Sequence, residues 1–165
     1  MKITDVTCYV VPRPGRKSTF HWRKGLRMPD VPETVYVGYL KVETDAGVVG
    51  HASGGNGYAM AQLVHSFLKP ELMGQNPLLT EHLWHRAWEL HRLNAGEQAI
   101  FLIDALAWDI KSQVAGLPLY QLLGGNDPKV PAYASTVTWD TMDAYERHIK
   151  ACADEGFFAF KLHEI

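Results

Sequence analysis

Lys161 and His163 stand two positions apart in the run "GFFAFKLHEI", Gly156 to Ile165. Successive side chains of an extended strand alternate between its faces, so Ala159, Lys161 and His163 share one face and Phe158, Phe160 and Leu162 the other. The first face carries two groups with complementary chemistry. An ammonium can hold a substrate carboxylate or lower a neighbour's pKa, and an imidazole, which titrates near neutrality, can exchange a proton with carbon. Ligands of α/β sheets bind at the C-terminal ends of the strands, where both side chains would stand. A strand end that merely solvates a lysine and a histidine has the same spacing, so the pattern alone leaves both readings open.

The elements that must carry this pair follow from periodicity. "KITDVTCYVV" alternates, with Val6, Cys8 and Val10 on one face, and "TVYVGYLKVE" is rich in β-branched and aromatic residues. "TDAG" supplies turn chemistry before "VVGHAS", which completes a small antiparallel meander. A long basic and aromatic loop, Pro12 to Glu33, is inserted after the first strand and reads as a lid or binding element. Helices follow. One ends at Pro70, and one starts with Asn76 as N-cap and Pro77 in its first turn. A third, apolar almost all round, covers "GEQAIFLIDALAWDIKSQVAGLP" and should be buried centrally. Within it Asp109 is expected to tie the helix to a neighbouring backbone.

The last third changes rhythm. "KVPAYAS" reads as a strand, Thr138 or Asp140 as the cap of a helix through "MDAYERHIKACADE", Gly156 as its end, and "FFAFKLH" as a second strand. Strand, helix, strand at this spacing is a βαβ unit and implies a parallel sheet. The expected organisation is an α+β domain over residues 1–127 and the opening of an α/β domain over 128–165. One βαβ unit cannot cover both faces of a parallel sheet, so the second domain is expected to be incomplete and the sequence to be the first part of a longer enzyme.

Composition bounds the partners. In 165 residues, 47% are hydrophobic and 21% charged, with a formal net charge of −2 spread along the chain, which gives no footprint for nucleic acid or an anionic membrane. No run of 18 apolar residues occurs. Cys8 and Cys152 lie far apart with no CxxC pair, so neither a disulfide framework nor a thiolate metal site is expected, and a reducing cytoplasm suits the chain. His82, His85 and Glu89 share one helical face, but it lies opposite Leu79, Leu83, Ala87 and Leu90 and should be the wet one rather than a metal site.

"LIDALAWDIKSQVAGLPLYQLLGG", Leu102 to Gly125, resembles the passage that joins the N-terminal cap to the barrel in the mandelate racemase and muconate lactonizing branch of the enolase superfamily. The opening meander, the "GHAS" turn, "LKPELMGQNP" and "LPLYQLLGG" fall in that family's order. The resemblance implies a capping domain, an antiparallel three-stranded meander plus helices, followed by the first βαβ of a TIM-type barrel. It puts "KLH" in the place of the family's Lys-x-Lys pair, so Lys161 would meet the substrate carboxylate and His163 the α-proton. A histidine in the second place leaves open whether it takes the proton, gives one, or only binds. The resemblance further implies substrate contacts from two cap loops, with Arg16, His21, Trp22 and Arg23 in the first and His51 in the second, taken as His51 to Gly57. Cations on such a lid suit an anionic, hydroxylated substrate such as a sugar acid. The family's Mg²⁺ is held by acidic ends of later strands, so no metal site and no turnover are expected of these 165 residues alone. The implied reaction is dehydration of an acid sugar, with racemisation, epimerisation or cycloisomerisation as alternatives, in a homo-oligomer. A cap domain used only for binding or association is the non-catalytic alternative.

Overall fold

The computed structural model describes residues 1–15, 32–92, 97–125, 127, 129–139 and 141–163, with the side chains of 91–92 and 97–99 left out. They fall into two compact units, one of Met1–Pro14 with Thr34–Asn126, the other centred on Asp127–Ile165.

The first unit is an antiparallel sheet in the order β1 (Ile3–Pro14), β2 (Thr34–Thr44), β3 (Val49–Asn56). Alternation puts Val6, Leu40 and Val42 into the core, while Tyr9 and Tyr39, paired in register, face outward. β1 runs three residues further than its hydrophobic pattern suggests, with Pro14 opposite Thr34. Its prolines are tolerated because β1 is an edge strand. Cys8 and Cys152 are free thiols, and burial pushes the Cys8 thiol up, as expected of a packing residue.

α1 (Gly57–Leu63) starts at Asn56, whose side chain accepts the N–H groups of Tyr58 and Ala59. Pro70 does not end this helix. A π-turn over Val64–Leu68 carries the helical backbone on, and Pro70 falls in the first turn of α2 (Lys69–Leu72). Asn76 likewise caps a turn, through Leu78 N, and α3 (Thr80–Arg92) begins at Thr80. Its buried stripe is Leu83, Ala87 and Leu90, with Leu79 exposed; His82, His85 and Glu89 are on the wet side, and Arg86 sits near Glu89.

α4 (Glu97–Ala115) is two-faced rather than buried all round: Ile103, Leu106 and Ile110 are covered, whereas Phe101 is 69% exposed. Asp109 ties it to the sheet, accepting from His51 N at 2.8 Å, and Gln113 Nε2 donates to Val49 O at 2.8 Å beside it. α5 (Leu119–Leu122) follows. The close approach of α4 requires glycine at position 50, since a Cβ there would lie 2.6 Å from Ile110 Cγ1.

Two predictions concern this unit. Gly50→Ala should cost about 1–3 kcal/mol of stability by overpacking, measured as a lower urea midpoint. Gly54→Ala, where a Cβ meets nothing within 4 Å, should stay within about 0.5 kcal/mol of wild type. The second concerns Asp5, whose carboxyl is lowered from 3.8 to about 2, first by the hydrogen bond from Lys69 and then by that from Thr7. A depressed carboxylate contributes stability that is complete above its ordinary pKa and lost as pH falls through the folded value. Because the pair is partly exposed, Asp5→Asn should cost only about 0.5–1 kcal/mol at pH 7. The difference should shrink between pH 4 and pH 2 in acid-unfolding curves.

Candidate active site

The second unit is a strand, a helix and a parallel strand. β4 (Ala134–Ser135) and β5 (Phe160–Lys161) pair in parallel, Ala134 with Phe160 and Ser135 with Lys161. Their backbone bonds are Ala134 N to Ala159 O and Thr136 N to Lys161 O, each 2.9 Å. Between them runs α6 (Met142–Asp154), capped by Thr141 rather than Thr138: its hydroxyl accepts from Ala144 N, and Asp140 lies outside the described residues. Gly156, at φ 97°, ends the helix as its residue type suggests, and Phe157 N reaches back to Cys152 O.

Both strands are shorter than the hydrophobic patterns "KVPAYAS" and "FFAFKLH". Just beyond Lys161, two side chains bond to the backbone of His163. His163 N donates to Thr136 Oγ1 at 3.3 Å, and the Tyr145 hydroxyl on α6 donates to His163 O. Of the aromatic face, Phe158 is exposed and Phe160 half-buried, so it is not covered as its pattern suggests. Leu162 is also exposed and borders an open groove of about 640 Å³ with Met142, Tyr145 and Ile149.

The predicted pair meets at the C-terminal end of these strands. Lys161 is exposed and lies beside Ser135 in register, which puts both side chains on one face. His163 is half-buried, and its Nε2 is 3.5 Å from the Ser135 hydroxyl. Hydroxyl, ammonium and imidazole therefore share one strand end, where a carboxylate could pair with the lysine and a proton pass to or from the ring. Ser135, Thr136 and Tyr145 are not among the residues singled out from sequence. Ser135 was within reach, as the last residue of its strand pattern. Tyr145 reads as one more apolar position of an amphipathic helix.

His51 belongs to the first unit. The segment His51 to Gly57, expected as a loop, is strand as far as Asn56, because Gly54 and Asn56 still pair with Gly38 and Val37 of β2. His51 faces outward opposite Lys41; its ring stacks on Tyr39 at 5.5 Å and its Nδ1 is 2.7 Å from the Tyr39 hydroxyl. Arg16, His21, Trp22 and Arg23 lie outside the described residues. Among the described residues no three His, Cys, Asp or Glu side chains converge to hold a metal ion, so they do not supply a site for Mg²⁺. Nor is any described helix long and apolar enough to cross a membrane.

Known proteins share this construction. Over 170 residues, 99% of the chain, the sequence is 32% identical to a D-galactonate dehydratase of Pectobacterium atrosepticum, covering 38% of that protein. A solved enolase-superfamily structure from Roseovarius nubinhibens ISM, complexed with magnesium, superposes with a TM-score of 0.73 at 27% identity, over 96% of this chain and 43% of that one. The 3,6-anhydro-D-galactonate cycloisomerase of Zobellia galactanivorans superposes with a TM-score of 0.69 at 25% identity, over 97% of this chain and 42% of that one. The chain thus spans less than half the length of these relatives. The meander and its helices correspond to the superfamily's N-terminal cap, and β4, α6 and β5 to the start of its barrel. The profile of the mandelate racemase / muconate lactonizing enzyme N-terminal domain matches residues 26–124, and the chain belongs to that family.

Proposed function

We propose that the protein acts as an acid-sugar dehydratase of this family and that Lys161 and His163 work on one face of its substrate. The observation that carries the reading is the meeting of Lys161, Ser135 and His163 at the C-terminal end of a parallel strand pair. The dehydratase name of the relative aligned over 99% of the chain supports the choice of reaction.

In this reading the Lys161 ammonium pairs with the substrate carboxylate, and a charge-assisted bond there fixes the α-carbon near the imidazole. His163 takes the α-proton, the C–H electrons form a Cα–Cβ double bond as the β-C–O bond breaks, and the β-hydroxyl leaves as water by taking up one proton, which balances the one removed. The enol then tautomerises to a 2-keto-3-deoxy acid. A histidine suits the task because an imidazole nitrogen can take a proton from carbon and give it up again. The family's Mg²⁺, which would stabilise the enediolate, enters only through the resemblance and the magnesium-bound relative. Among the described residues no group of three His, Cys, Asp or Glu side chains would hold it. Cycloisomerisation shares the same opening proton transfer, and the likeness to the anhydro-galactonate cycloisomerase makes it the second reading. The proposal includes a cytoplasmic, homo-oligomeric protein; His51 and the loop residues Arg16, His21, Trp22 and Arg23 stay in it as substrate contacts.

The test is a panel of aldonic acids given to the protein with its complete barrel, with 2-keto-3-deoxy product read as its semicarbazone. Turnover of at least one aldonate is expected. His163→Asn should lower kcat by about 10²–10⁴. Lys161→Met should raise KM as well as lower kcat, because it removes binding and orientation together. Undiminished turnover in both variants would contradict the proposal.

A further inference from the structure

We infer that Ser135, Thr136 and Tyr145 are the positioning residues of His163, holding its ring and both of its backbone groups; the inference rests on the reading of His163 as the proton-transfer group. Three hydrogen bonds from three sequence positions converge on this residue. Thr136, 2% exposed, accepts the His163 N–H at 3.3 Å. Tyr145, 7% exposed, donates its hydroxyl proton to the His163 carbonyl. Ser135 lies 3.5 Å from Nε2 of the ring.

Such an arrangement answers a specific need. The last ladder bond of the pair is that from Thr136 N to Lys161 O, so His163 lies one step past the regular sheet. A proton-transfer group must be closely placed, because a misplacement of about 1 Å can cost about 10²-fold in rate. Tyr145 links the two strand ends as well, since its oxygen also accepts Trp139 N at 3.2 Å. One buried hydroxyl therefore bridges the chain after β4 and the chain after β5. The hydroxyl of Tyr145 is what distinguishes it from phenylalanine in this buried place, and that of Thr136 is what distinguishes it from valine. Buried polar groups are retained at a cost unless bonded, and both are bonded to the same residue or its neighbour across the sheet.

The roles separate. Thr136 and Tyr145 hold the backbone of His163, and Ser135 contacts its ring at Nε2. Lys161 is held by the ladder, through the backbone of Ser135 and Thr136 rather than their side chains.

The experiment uses the 165-residue chain with ¹⁵N-labelled histidine and amides, comparing wild type with Ser135→Ala, Thr136→Val and Tyr145→Phe. Ser135→Ala is expected to shift the His163 Nε2 resonance and leave the amides of 136 and 163 protected. Thr136→Val is expected to speed exchange of the His163 amide by about 10-fold, one lost hydrogen bond at about 1.4 kcal/mol, and Thr136→Ser to restore it. Tyr145→Phe should do the same at the Trp139 amide, with β1–β3 amides unchanged as the control for folding. In the protein with its complete barrel, Ser135→Ala and Thr136→Val should lower kcat by about 10- to 100-fold with KM nearly unchanged, because the carboxylate contact is intact. An unmoved His163 ring signature and unchanged exchange in all three variants would overturn the inference. If these signatures move while His163→Asn keeps full turnover, the positioning stands and the dehydratase reading falls.

Discussion

The candidate site depends on a parallel ladder that is only two residues long on each strand. Its backbone bonds include those from Ala134 N to Ala159 O and from Thr136 N to Lys161 O. Past that point, among the described residues, a buried threonine, a buried tyrosine and an exposed serine bond to His163. The crossover helix α6 thus has two functions. It buries Tyr145 against the strand pair, and it delivers a hydroxyl to the end of it. A helix that supplied only an apolar stripe would leave the His163 carbonyl without the Tyr145 bond.

The first unit solves a different problem, that of bringing a helix against a sheet with good packing and no loose polar groups. Gly50 lets α4 approach, Ile110 fills the space that a Cβ would take, and Asp109 and Gln113 satisfy the backbone of β3 at His51 and Val49. Gly38 plays the same part toward Met60 of α1. These contacts fix β3, and with it the outward-facing ring of His51, which is held by Tyr39 rather than left free on a loop.

Much of this was legible in the residues. Alternation in "KITDVTCYVV" and "TVYVGYLKVE" identifies the meander and its buried face, Gly156 marks the end of α6, and Asp109, an acidic residue in an apolar helix, announces its tie to a backbone. The spacing of Lys161 and His163 points to a shared face at a strand end. What could not be read has a common cause. Periodicity reports which face is apolar, not where a neighbouring strand continues to offer bonds. The segment from His51 to Asn56 looks like a glycine-rich loop, yet its backbone still pairs with β2; "KVPAYAS" and "FFAFKLH" look like full strands, yet pair over two residues each. Pro70 reads as a helix stop, yet a π-turn carries the helical backbone on to it. Tyr145 gives no local sign that its hydroxyl, rather than its ring, is what the site uses.

The central claim is that the imidazole of His163 exchanges the proton α to a substrate carboxylate. Its most direct measurement is ¹H NMR of an aldonate substrate in D₂O with the protein in its complete-barrel form, followed at the α-position in substrate and product. The account predicts loss of the α-proton signal with wild type and retention of it with His163→Asn at matched protein concentration. Equal rates of α-proton loss in the two proteins would contradict it.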